Sequence, residues 1–410
     1  MKKIPLLFHV IWLSLLIILM SACGSRTISP VDVDVTATSD QATQIHLCCT
    51  ATPPATPTTF PAPNSLQIVL SRGNPQRTGV YDASAIRNQP EVKWQTKMGS
   101  TLLISPLLVD DILYAGSANG DLYALNIETG GEIWSVSGFG HLENSGAVSG
   151  DVILAGGYSR IVKALDRHTG SELWSFEIEN TIQAAPLIVD KRAYIATYHA
   201  VYALDLDSGS LIWEVLTGNE DAFMGAPAYE DGIIYTTGGT LLLALEADTG
   251  NEIWRVAKAE MFLGLAVANG FVYVGNWNKD MYAFEQATGE EGWKFQAKSE
   301  LWLAPAVNED TVYVGNVNTF YALRAQTGEL RWSFETSGNL VSEPIIAEDV
   351  IYITDGNHET RRGPHHLYAL DAVTGEELWA FEITSTFLPA PALGDGVIYI
   401  TSTGEVIALK

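Results

Sequence analysis

Thr129-Gly130-Gly131-Glu132-Ile133-Trp134 is the first complete statement of a phrase that this chain repeats. The same frame, a small residue, Gly, three residues and Trp, ends at Trp174, Trp213, Trp254, Trp293, Trp332 and Trp379. Trp94 shares the phase without the Thr-Gly. Successive tryptophans then lie 40, 40, 39, 41, 39, 39 and 47 residues apart, and eight of the eleven in the chain keep this phase. A period of about 40 residues marks a repeat architecture, in which each unit buries its apolar face against its neighbours.

Within one unit the pattern is regular. Ala185-Pro186-Leu187-Ile188-Val189 is followed by Asp190-Lys191, then Ala193–Ala196, Val201–Asp205, the Asp207-Ser208-Gly209 turn and the segment that carries Trp213. Short runs of β-branched and aromatic residues broken by Gly, Asp and Asn predict four strands joined by hairpins. Gly supplies the positive φ that closes the Thr/Ser-Gly turn. Asn126, Asp166, Asp205 and Asp371 open that turn with a side-chain acceptor, whereas Glu246, Glu285 and Arg324 replace them in other units. The third strand holds Ala in every unit, at 124, 164, 203, 244, 283, 322, 369 and 408. A small residue in phase with a Trp predicts that the ring docks over it or over the neighbouring sheet. Four-stranded sheets repeated radially make a β-propeller. The first unit starts at the outer strand of Trp94, and the last ends at Val406–Leu409, a third strand without a following Trp. These halves complement each other. The expectation is an all-β, eight-bladed propeller of four-stranded antiparallel blades, closed by the Trp94 strand so that no edge stays open.

The phrase Tyr-Ala-Leu-Asp-x-x-Thr-Gly-x-x-x-Trp resembles the PQQ-like (pyrroloquinoline-quinone) repeat family, over about residues 72–410. Ser71-Arg72-Gly73-Asn74-Pro75-Gln76-Arg77-Thr78-Gly79 looks like the segment that leads into such repeats. The family includes quinoprotein alcohol dehydrogenases and the outer-membrane barrel-assembly lipoprotein. The resemblance therefore implies either a bound quinone with its Ca²⁺ or a non-catalytic scaffold.

The N-terminus reads as an address. Lys2 and Lys3 precede an apolar run from Ile4 to Met20, and Ser21-Ala22-Cys23-Gly24 follows. That order makes an export signal, too short for a comfortable bilayer span. Met20-Ser21-Ala22-Cys23 resembles the bacterial lipobox, with Met where Leu is usual, so residues 1–23 are expected to be a lipoprotein signal with its anchor on Cys23. Residues 24–65, rich in Thr and Pro, form a tether without enough apolar content to fold, and 66–410 the propeller. Cys48 and Cys49 lie in the tether, away from any cofactor chamber, and no redox role is assigned to them. With 23 Lys+Arg against 48 Asp+Glu, the net charge of -25 repels phosphate backbones, which excludes nucleic acid as a partner.

Candidate functional positions belong to the face that carries the blade-to-blade crossovers and the loops between second and third strands. The pairs of residues leading into the inner strands are Leu102-Leu103, Leu142-Glu143, Ile182-Gln183, Phe223-Met224, Met261-Phe262, Leu301-Trp302, Leu340-Val341 and Phe387-Leu388. Only Glu143 and Gln183 are polar, too few for a quinone with three carboxylates and its cation. No cofactor, metal site or catalytic residue is therefore assigned. Trp277 and Trp302 are off the docking phase, and the topology places them near Met261 and Phe262. Aromatic and Met clusters of this kind mark protein-binding surfaces. The 47-residue spacing comes from a loop in the seventh unit that carries His358, Arg361, Arg362, His365 and His366, a basic insertion in an acidic protein. Glu343 stands where other units have Ser, Ala or Gly, and is expected to project an isolated carboxylate near the channel. These ten residues form the expected partner-binding set. No nucleophile elbow, phosphate loop or zinc-ligand spacing occurs. The preferred reading is a monomeric, lipid-anchored, extracytoplasmic scaffold that presents this face to a protein or peptide. The rivals are a quinoprotein dehydrogenase and a carbohydrate or small-molecule sensor that stacks its ligand on Trp277 and Trp302.

Overall fold

The computed structural model describes residues 68–410 apart from 71, 103, 145, 218–224, 357–364, 385–388 and 395. Cys23, Cys48, Cys49, His358, Arg361 and Arg362 lie outside the described residues. Eight antiparallel sheets follow one another along the chain, seven of them built from four consecutive strands. Blade 3 is typical, with Leu187–Val189, Arg192–Ala196, Ala200–Asp205 and Leu211–Leu216 from the axis outward. Asp190 and Lys191 close its first hairpin with φ of 47° and 63°, so this tight turn is made without Gly. The eighth blade joins Ala392–Gly394, Val397–Ser402 and Glu405–Leu409 to Val92–Lys97 from the N-terminal side. Trp94 pairs with Ala408, and reciprocal Glu91–Lys410 backbone hydrogen bonds of 2.8 Å continue the ladder. The ring closes as its two half-units require.

The alanine in phase with each Trp has a clear task. It is the cross-strand partner of that Trp in all eight blades. On its other side it faces Tyr114, Tyr194, Tyr235, Tyr273, Tyr313, Tyr352 or Tyr399 in seven blades, and Leu154 in blade 2. A methyl group between them lets Tyr and Trp meet over it, with ring centroids 5.8–6.0 Å apart and planes tilted by 43–49°. Such pairs contribute about 0.5–1.5 kcal/mol beyond their buried area. Each indole then reaches into the next blade, where its N–H donates to a backbone carbonyl at 2.7–3.2 Å. In six blades the tyrosine hydroxyl donates to the same carbonyl.

The Thr-Gly turn is the other half of this joint. Gly130, Gly170, Gly209, Gly250, Gly289, Gly328 and Gly375, all at positive φ, lie flat on the indole of the preceding blade. Asn126, Asp166, Asp205 and Asp371 each accept from turn amides, as their residue types predict. The Gly turn and the Trp thus meet at seven of the eight blade interfaces. Blade 8 lacks the turn because its third and fourth strands come from opposite ends of the chain. Ile86 fills the gap, and its carbonyl takes the bonds from Trp379 and Tyr352.

Burial pushes the phenols of Tyr114, Tyr194, Tyr235, Tyr273 and Tyr352 up to about 12. Unfolded tyrosine ionises near 10, so their stabilising contribution is complete below pH 10 and is lost as pH rises through 12. Unfolding temperature is expected to be level from pH 7 to about 9.5 and to fall steeply between about 10 and 12. Phenolate absorbance should appear together with the loss of tryptophan tertiary signal. Full phenolate titration in a protein that keeps its tertiary signal would contradict this.

The lead-in segment does more than precede the repeats. Ile68–Leu70 runs antiparallel to the inner strand of blade 2, and Val80–Tyr81 runs parallel to that of blade 7. Between them the chain crosses the axis. The carbonyls of Pro75, Gln76, Thr78 and Gly79 accept from the amides of Tyr229, Val267, Val307 and Ile346 at 2.8–2.9 Å. Those amides sit at matching places on the inner edges of blades 4 to 7. The segment is a plug that satisfies the free inner edges of the ring, as buried backbone donors require.

Candidate functional site

Inner strands start at the crossover face, so the plug rises from the opposite face, turns beneath the mouth and descends again. Its apex carries Arg72 and Arg77, with φ of 68° and 59°, a left-handed backbone uncommon for residues other than Gly. Arg77 is 1% exposed; its Nε donates to Pro227 O at 3.1 Å, and one terminal nitrogen to Ala185 O and Pro186 O, each at 2.9 Å. Arg72 is 6% exposed and donates to Leu265 O and Pro305 O. Four successive blades therefore point carbonyls inward at the start of their inner strands, and two guanidiniums cap them. Burial drives Arg77 down to about 10, and the neighbouring Arg72 charge adds to the shift. Arg72 is lowered by burial and partly restored by Glu343.

Above the two arginines lies a cup of about 330 Å³. Small residues leading into the inner strands, among them Ala184, Ala226 and Ala304, line it. Glu343 lines it and meets Arg72 Nε at 3.5 Å, so this carboxylate is paired rather than isolated. Glu143 and Gln183 come together at the rim. Gln183 Nε2 donates to Glu143 Oε2 at 2.8 Å and to Tyr158 OH at 2.6 Å, and Tyr158 OH donates to the same carboxylate at 3.0 Å. His141 approaches Glu143 Oε1 at 3.4 Å. Burial, then the Glu143 carboxylate, pushes the Tyr158 phenol well above its ordinary range.

Most of the apolar residues leading into the inner strands are wedges between blades. Leu102, Leu142, Ile182, Leu301 and Leu340 are 0–1% exposed. Ile182 packs over Gly156 and Leu340 over Gly315, each at the end of the second strand of the preceding blade. Phe262 is the corresponding wedge of blade 5. It is fully buried and packs edge-on against Tyr282 and Phe284, so it does not belong to an exposed partner set. A register shift between Phe262 and Leu265 displaces this blade by one residue, which exchanges inward and outward positions. Leu103, Phe223, Met224, Phe387 and Leu388 lie outside the described residues.

Trp277 and Trp302 are 52% and 38% exposed. The Trp277 amide donates to Met261 O at 3.4 Å, and the Leu301 amide to Asn276 O at 3.1 Å. The loop of Trp277 is thus fastened between half-buried Met261 and the segment of blade 6 that carries Trp302. His365 and His366 belong to the strand His365–Asp371 rather than to a loop. Their side chains alternate, so they do not form a histidine pair. His365 is 2% exposed, packs on Gly356 and has its ring lowered in basicity by burial. His366 Nδ1 meets Asp355 at 3.0 Å, a buried carboxylate that also accepts from the Gly338 and His366 amides, Ser337 and Tyr368. Sequence reasoning missed Arg72 and Arg77. Their signal was two arginines around Asn-Pro-Gln just ahead of the first repeat of an acidic chain.

Among the described residues no group of three or more His, Cys, Asp or Glu side chains converges as a cation site. Nor is any described helix long and apolar enough to cross a membrane.

A family model described as outer membrane protein assembly factor BamB matches residues 118–221, 198–303 and 278–410. A curated relative, the serine/threonine-protein kinase AfsK of Streptomyces griseus, is 28% identical over 130 residues, which cover 29% of this chain and 16% of the kinase. The match thus spans about a sixth of that relative's length. Quinohemoprotein alcohol dehydrogenase from Pseudomonas putida HK5 superposes with a TM-score of 0.69 at 14% identity, covering 82% of this chain and 79% of that one. BamB from Moraxella catarrhalis superposes at 0.62 with 19% identity, covering 78% of this chain and 100% of that one. At these identities the structural likenesses establish the fold alone.

Proposed function

This chain belongs to the family described as outer membrane protein assembly factor BamB, and on that premise we propose that it is a non-catalytic scaffold that docks a protein partner on its mouth face. The observation that carries this reading is the pair Trp277 and Trp302, half-exposed side chains on adjoining blade tips in a fold whose phased tryptophans are buried or partly buried. Indoles held on a rigid rim lose little conformational freedom on binding and supply large contact area, which is why Trp is common at interface hot spots. The proposed partner set is Met261, Trp277 and Trp302, to which the sequence reading adds the basic residues Arg361 and Arg362. Lys2, Lys3, the apolar run and Cys23 support an extracytoplasmic, lipid-anchored position.

Crosslinking capture from membranes of cells that express the full chain tests this. Trp277→Ala with Trp302→Ala is expected to weaken the captured complex by about 2 kcal/mol or more, roughly thirtyfold in Kd. Cys23→Ser is expected to move the protein to the soluble fraction. An unchanged set of captured proteins from the double variant would sink the mouth-face site.

A further inference from the structure

We infer that the axial cup is a binding site for a compact ligand bearing a single oxyanion, a carboxylate or a phosphate monoester, held on the Arg72 guanidinium with Arg77 behind it. This goes beyond the scaffold reading and does not rest on it.

The argument begins with charge. Two guanidiniums are buried side by side at the plug apex, and both sit on left-handed backbone. Buried cations require counter-ions or full hydrogen bonding. Carbonyl oxygens hold the terminal nitrogens, but Arg72 Nε is buried without a hydrogen-bond partner among the described residues. Its counter-ion is Glu343, 3.5 Å away, and that side chain is 38% exposed. The pair is loose on the carboxylate side and fixed on the guanidinium side. An incoming oxyanion can take the place of Glu343 on Arg72, because Glu343 can swing to solvent while Arg72 cannot move.

The walls define the ligand. At about 330 Å³ the cup lies near the small end of ligand sites. Ala184, Ala226, Ala304 and Ala390 offer a short apolar collar, and Glu143 and Gln183 offer an acceptor and a polar rim. The Glu143 carboxylate disfavours a second anionic group at the far end, which selects ligands with one oxyanionic group over those with several. No cation ligands converge among the described residues, so the oxyanion is recognised by the guanidinium rather than through a metal.

Titration calorimetry of the full chain with sodium phosphate, acetate and benzoate, at ionic strength held constant with chloride, tests the site. At least one probe is expected to bind saturably, one to one. Preference for phosphate or for the carboxylates identifies which oxyanion the cup takes. Glu343→Gln removes the internal competitor and should tighten that binding roughly tenfold, the worth of a partly screened charge contact. Arg72→Met should abolish it. Because Arg72 also holds two carbonyls and its variant can fail to fold, the Glu343→Gln gain decides the matter. The inference is overturned if no probe binds saturably, if chloride produces the same heat, or if folded Glu343→Gln binds no more tightly than the parent.

Discussion

Arg77→Met is expected to lower the unfolding free energy by about 3 kcal/mol or more, because three buried carbonyls lose a donor at once. Pro227 O, Ala185 O and Pro186 O would lose their donor in the axial core. Each buried carbonyl left unsatisfied costs about 1–3 kcal/mol. Whole domains are stable by only about 5–15 kcal/mol, so one side chain decides whether the ring is comfortably folded. The denaturant midpoint should fall with little change in slope. Arg77→Lys keeps the charge, but an ammonium cannot span three carbonyls from two separate nitrogens, and it should recover less than half of the loss. A Met variant within about 1 kcal/mol of the parent, less than the loss of a single buried carbonyl's donor should cost, would show that the plug merely occupies the channel.

Gly209→Ala is the second large effect. Its φ is +71°, and an added Cβ would stand 2.5 Å from Cδ2 and Cε3 of Trp174. The indole cannot retreat, because its N–H is held by Leu206 O at 2.8 Å. Left-handed backbone alone costs Ala about 1–2 kcal/mol. The clash should bring the total to about 3 kcal/mol or more, by analogy with overpacked cores. Gly232→Ala is the matched control: φ is +82° and nothing lies within 4 Å of the added methyl. It should show the backbone penalty alone. Equal losses at both positions would mean that the Thr-Gly turn recurs in phase for its conformation and not for docking on Trp.

Much of the propeller was legible because its joints are written in every unit. Trp94 and Val406–Leu409 read as two halves of one blade, and Trp94 does pair with Ala408. The alanine positions were visible as a phase, although the Tyr–Ala–Trp contact and the shared carbonyl of the next blade were not. Features present once were harder. Phe262 looked like a mouth residue because a bulge before Leu265 is silent in the spacing. His365 and His366 looked like loop residues because the strand continues beyond its usual length. Glu143 and Gln183 stood out by polarity and do bond to each other, but Tyr158 and His141, which complete their cluster, gave no signal.

The amino-acid sequence by itself determined the unit, the number of blades and the closure, since each interface joins residues one period apart and period survives in one dimension. The tertiary structure alone decided what lies on the axis. There eight inner strands converge, and residues 72–79 meet carbonyls and amides as far along the chain as Ile346. No periodicity links those partners. Arg72 and Arg77 acquire their surroundings from the ring itself, whose unpaired inner edges must be satisfied once water is excluded.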